Sequence, residues 1–248
     1  MSSGCATGWR GSNPKPATQS PVRPFGEQAI SDARTAMGRV QSLGEEIANS
    51  VSHGAGLVAT GIAVPILLLA TIERNAAINI VGAAVFGAAM LALYLASAIY
   101  HALPPGRAKR VFCKIDHGTI YLFIAGSYTP FALGALHGAW GWTLFGLVWG
   151  LAVAGILLKT FDRLAHPVLS TGLYLGMGWL VLIAIVPLTE RVPAPGLALL
   201  FAGGVAYTAG VVFFAADSRW RYAHFVWHLF VLTGSTCHFF AILDYAAP

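Results

Sequence analysis

Charged side chains are scarce in this chain. Asp, Glu, Lys and Arg make up 10% of its 248 residues, while hydrophobic residues reach 56% and the mean hydropathy is +0.68. Ordinary soluble domains carry about 25% charged residues, so a water-solvated globule, a secreted disulfide scaffold and a disordered protein are all excluded. Cysteine is also rare. Cys5, Cys113 and Cys237 are an odd number without C-x-x-C spacing, which argues for reduced thiols rather than a disulfide framework or a thiolate zinc site. The net charge of +5 has no basic-aromatic platform beside it, so no nucleic-acid partner is expected. No internal repeat stands out, and a transporter built from inverted halves receives no support.

The N-terminus lacks an apolar core of signal-peptide length, and no cleaved signal is expected. Residues 1–44 hold Pro14, Pro16, Pro21 and Pro24 among Ser, Thr, Gln and Gly. Such a stretch buries too little apolar surface to offset chain entropy, so it reads as a mobile cytoplasmic tail with a short helix from Ser31. Residues 45–248 then form a transmembrane domain.

From Ile47 the chain becomes a series of apolar runs about twenty residues long, the length an α-helix needs to cross a bilayer. Seven are expected, near 47–71, 77–102, 112–135, 139–160, 167–188, 195–216 and 222–244. Continuous runs such as Leu180-Val181-Leu182-Ile183 lack the alternation of barrel strands, so the fold class is all-α, a seven-helix transmembrane bundle. Pro65, Pro130 and Pro187 fall inside the runs and are read as packing kinks. Thirteen of the fifteen Lys and Arg lie in the tail or in the second, fourth and sixth loops; Arg74 and Arg191 lie opposite. The positive-inside rule then puts the N-terminus in the cytoplasm and the C-terminus outside, in a multi-pass protein of a cell membrane.

Polar residues inside these runs are unevenly spread. Glu46, Asn49, Ser52 and His53 open the first crossing, Ser97 and His101 close the second, Asp116 and His117 open the third, and His224 and His228 open the seventh. With alternating helix direction, all reach one depth in the cytoplasmic leaflet. Ionisable groups at membrane depth are costly and mark function by default. Spacing of four residues puts Ser97 with His101, and His224 with His228, on common faces.

Three inward histidines suit a divalent metal, because neutral imidazole is its commonest protein ligand. Zinc held by His101, His224 and His228 would keep a fourth position for water, whose pKa it lowers toward about 7. Asp116 would hold or deprotonate that water. The His224-Phe-Val-Trp-His228 segment has no Glu after its first His, so the base has to come from elsewhere. His238 lies too deep for the same ion and reads as structural, while His137 and His166 read as solvated loop residues. For Ser52 and Ser97, back-bonding to their own helices is the commoner role.

The pattern resembles the hemolysin III proteins, the bacterial branch of the progestin and adipoQ receptor family. Glu46-Ile-Ala-Asn49-Ser-Val-Ser52-His53, Ser97-Ala-Ile-Tyr-His101, Ile115-Asp116-His117-Gly118 with Ser127-Tyr-Thr-Pro130, and His224-Phe-Val-Trp-His228 with His238-Phe-Phe carry the resemblance, from about Glu45 to Leu243. It implies a bacterial inner-membrane protein with zinc on His101, His224 and His228, and with Asp116 contacting the ion through water. It further implies zinc-dependent hydrolysis of a lipid-like amide or related bond, with Asp116 and Ser97 catalytic and Glu46, Asn49, Ser52 and His53 lining the site. Two other activities follow from the resemblance: cytolysis or channel formation, from the family name, and receptor-like ligand sensing, from its eukaryotic relatives.

Overall fold

A computed structural model describes residues 39–74, 77–164 and 167–246; most of the tail, Cys5 and His166 lie outside the described residues. The described chain is all-helical: α1 (Leu43–Glu73), α2 (Ala77–Ala102), α3 (Arg107–Leu133), α4 (Gly138–Thr160), α5 (Pro167–Gly178), a 3₁₀ turn (Leu180–Ala184), α6 (Ile185–Arg191), α7 (Ala194–Ala215) and α8 (Ala223–Tyr245). Among the described residues, six segments are long and apolar enough to cross a membrane: α1, α2, α4, the Val168–Arg191 stretch, α7 and α8. Helix α3 is as long as these but opens with Arg107, Lys109, Arg110 and Lys114 and carries Asp116. It packs between α2 and α4; Asp116 is buried, whereas Arg107 and Arg110 are exposed.

Sequential neighbours pack side by side, α1 on α2, α2 on α3, α3 on α4 and α7 on α8, and α8 returns to α1 to close the bundle. Lipid tails are as apolar as leucine, so close approach and interhelical hydrogen bonds hold such helices together. Gly126 of α3 meets Ala89 of α2, and Gly155 of α4 lies against the Tyr121 ring. Exposed Trp140 and Trp142 mark one end of the bundle and exposed Trp220 lies beside the start of α8, as interfacial aromatics do.

The capping motif Ser42-x-x-Glu45 starts α1 four residues ahead of the expected Ile47. Glu45 N–H donates to Ser42 Oγ at 3.4 Å and Ser42 N–H to Glu45 Oε2 at 2.9 Å. The same carboxylate accepts two 2.6 Å bonds from Arg39 and one of 2.8 Å from the Tyr222 backbone N–H. Arg39 also donates to the carbonyls of Asp217 and Trp220, and its pKa is raised by the Glu45 carboxylate. The entry to α1 is thereby tied to the turn before α8, where Tyr222 has a φ of 59°.

The Val168–Arg191 segment, expected as the fifth crossing, departs from expectation. Its helix breaks at Trp179–Ala184, well ahead of Pro187. The Tyr128 hydroxyl fills the gap, donating to the carbonyls of Met177 (2.9 Å) and Gly178 (2.7 Å) and accepting the Val181 N–H (2.9 Å). Backbone groups freed within hydrocarbon need such partners. Trp179 Nε1 adds a bond of 3.0 Å to Thr208 on α7. The expectation of reduced thiols holds for Cys237, which is free, but not for Cys113, which is disulfide-bonded.

Candidate metal centre

Three remote stretches of sequence meet at one end of the bundle. His101 ends α2, and His224 and His228 share a face of α8 one turn apart. One ligating nitrogen from each lies within 4.8 Å of the others, and their ring centroids are 4.8 to 5.1 Å apart. Nitrogens sharing one zinc at about 2.1 Å lie roughly 3.4 Å apart, so this trio is gathered close to coordination distance.

The other nitrogen of two rings is already engaged. His101 Nδ1 lies 2.7 Å from Glu46 Oε2, and His101 Nε2 is buried with no partner. His228 Nδ1 lies 3.2 Å from the Asn49 carbonyl, which only accepts, and 3.1 Å from Ser52 Oγ. That fixes the His228 proton on Nδ1 and leaves Nε2 with its lone pair. His224 Nδ1 sits 3.5 Å from Asp217 Oδ2, an ion-pair distance without a hydrogen bond. Such outer partners orient metal-binding imidazoles. The carboxyl groups of Glu46, Asp116 and Asp217 stand around the rings, an acidic setting that suits a divalent cation. The donor set and the orphaned nitrogen fit such an ion.

Ser97 does not back-bond to its own helix. It lies 2.7 Å from His53 Nδ1 and also interacts with the Asp116 carboxyl. Ser52 does back-bond, to the Asn49 carbonyl at 2.9 Å. His53 is stacked on His228, and its Nε2 is buried without a partner. Glu46 is shared between His101 and Lys109, and the Asn49 amide reaches Gln41 at 2.8 Å. All nine expected site residues thus belong to one cluster or its immediate support. His137 is exposed, and His238 stands apart from the trio, with Nε2 3.4 Å from the Leu200 carbonyl.

Three supporting residues were missed by sequence reasoning. Lys109 was counted only as a topology charge, and Asp217 was not singled out. Glu45 was signalled by the capping motif and left unused.

An apolar cavity of about 390 Å³ runs from this cluster through the bundle. Asp116, Ser97, His53, His224 and His228 line one end, and Leu188 and Thr189 the other. Leu182 of the fifth crossing and Phe201 of α7 line it too, yet are 53% and 64% exposed. The cavity therefore reaches the apolar flank of the bundle between these two elements, which touch only sparingly.

Residues 41–239 match the family described as Haemolysin-III related. The chain belongs to the haemolysin III family. It is 41% identical over 208 residues to Hemolysin-3 of Bacillus cereus, covering 84% of this chain and 94% of that protein. To the Hemolysin-3 homolog of Bacillus subtilis (strain 168) it is 42% identical over 204 residues, or 81% and 94% of the two chains. The human Monocyte to macrophage differentiation factor is 30% identical over 170 residues, 65% of this chain and 68% of that one. This haemolysin III protein thus also falls within the progestin and adipoQ receptor family, and its apolar helices make it a multi-pass membrane protein.

Proposed function

We propose that this haemolysin III protein is a zinc-dependent hydrolase of a lipid-like amide or related bond. It would cross the bacterial inner membrane seven times, with α3 as the third crossing, the N-terminus cytoplasmic and the C-terminus outside. The observation that carries the reading is the convergence of His101, His224 and His228 at the end of a cavity that is otherwise apolar. His101, His224 and His228 would hold the ion, which supplies Lewis acidity toward a carbonyl oxygen and toward water. Asp116 stands beside Ser97 in the same cavity end, positioned to take a proton from attacking water as general base. Ser97, held by His53 and Asp116, would turn its one hydroxyl proton from the Asp116 carboxyl toward a developing oxyanion. The apolar walls would bind an acyl chain and exclude water, and the flank between Leu182 and Phe201 offers a path from the bilayer.

The test is elemental analysis of chelator-free purified protein and of His101→Ala, His224→Ala and His228→Ala, followed by turnover of lipid amides. Wild type with one zinc per chain, lost in each variant, and measurable hydrolysis supports the reading. Absence of metal from wild type sinks it, and bound zinc without hydrolysis of any lipid amide or ester reduces it to a structural site.

The name of the Bacillus cereus relative, Hemolysin-3, favours a second reading, cytolysis. Dye release from liposomes by purified protein supports it, and intact liposomes at all protein concentrations rule it out.

A further inference from the structure

We infer that Glu46 is a positioning residue for the metal: its carboxylate holds His101 in the tautomer and orientation that present Nε2 to the ion. The inference rests on the metal-site reading above. Glu46 divides its two oxygens between two partners, Oε2 to His101 Nδ1 at 2.7 Å and Oε1 to Lys109 Nζ at 2.9 Å. An ionised carboxylate only accepts, so the 2.7 Å contact puts the imidazole proton on Nδ1 and the lone pair on Nε2. The Asn49 amide approaches the same Nδ1 only to 3.4 Å and does not compete. His101 Nε2 is buried and has no other partner, so the ring is held at one nitrogen and open at the other.

The carboxylate is itself held. Lys109 has three N–H donors, and the structure gives each an acceptor: Glu46, the Tyr100 carbonyl at 3.2 Å and the Leu103 carbonyl at 3.1 Å. Its ammonium also sits 4.9 Å from the centre of the Tyr100 ring. One cation thus ties the carbonyls of Tyr100 and Leu103 at the end of α2 to the carboxylate that orients His101. One turn along α1, the Asn49 carbonyl does the same for His228. The face of α1 carrying Glu46 and Asn49 is an outer support for two of the three imidazoles. Removing such partners typically lowers metal affinity by about 10- to 100-fold.

The experiment uses the full chain in detergent, stripped with a chelator and reloaded with Zn²⁺ or Co²⁺ alone. Zinc affinity is read by competition with a chromophoric chelator, ligand geometry by the visible Co²⁺ spectrum, and fold by melting of the metal-free protein. Glu46→Gln keeps shape and an accepting oxygen but loses charge, and is expected to weaken zinc about 10-fold; Glu46→Ala approaches 100-fold. The Co²⁺ spectrum should shift in both, while metal-free Glu46→Gln melts as wild type does. Affinities within twofold of wild type with an unchanged spectrum overturn the inference and leave the three-histidine site standing. A lowered metal-free melting point with intact affinity also overturns it, because Glu46 would then serve the fold alone. Wild type that takes up neither ion overturns both. Glu46→Gln decides the matter if the alanine variant does not fold.

Discussion

His53 lies flat on His228, with ring centroids 3.6 Å apart and planes 7° from parallel, while its own Nδ1 reaches Ser97. His53 is outside the trio of candidate ligands, so its expected contribution is to packing and to the orientation of Ser97. His53→Ala should leave one zinc per chain by elemental analysis. It should lower stability by about 1–3 kcal/mol, because Ser97 loses one of its two buried partners and His228 loses its stacked ring. Loss of metal from this variant would make His53 a ligand.

Chelation should lower the melting temperature of wild type and leave that of His101→Ala unchanged. A ligand that binds only the folded state stabilises it by RT ln(1 + [L]/Kd), about 2.7 kcal/mol at 100 times Kd. Differential scanning fluorimetry with and without added zinc reads the difference. An equal response of wild type and His101→Ala would remove His101 from the site.

Asp116→Asn keeps size and removes the base. Hydrolysis should fall by about 10²- to 10⁴-fold, the usual contribution of a positioned general base. Zinc content should be unchanged by elemental analysis, which separates proton transfer from metal retention. Turnover within a few-fold of wild type would assign the proton to another group.

Tyr128→Phe strips the fifth crossing of the hydroxyl that serves Met177, Gly178 and Val181. A buried backbone group left without a partner costs about 1–3 kcal/mol. The variant should melt lower, and amide exchange at Val181 should quicken more than exchange in α2. Unchanged exchange at Val181 would mean that the break finds its partners elsewhere.

The helical class, the apolar segments and the meeting of His101 with His224 and His228 were legible in the sequence, because helix length and alternating direction fix depth before any packing is known. The break at Trp179–Ala184 was not. Pro187 was the visible breaker, whereas the partner that sustains the break is a tyrosine some fifty residues earlier on another helix. Helix α3 read as one more crossing, yet its basic first turns and Asp116 set it apart from the six apolar segments. Lys109 and Asp217 escaped because a charge beside a hydrophobic run looks the same whether it faces water or reaches back to an imidazole.

The three bonds of Lys109 give one ammonium two duties. In the basic first turn of α3 it is a charge of the kind that sets which way a polypeptide inserts, and through Glu46 it also supports His101. Reporter-fusion mapping that neutralises these cations one at a time would therefore disturb orientation and the Glu46–His101 contact together at this position. Arg107 and Arg110, its basic neighbours in the same turn, are the cleaner positions for such an experiment.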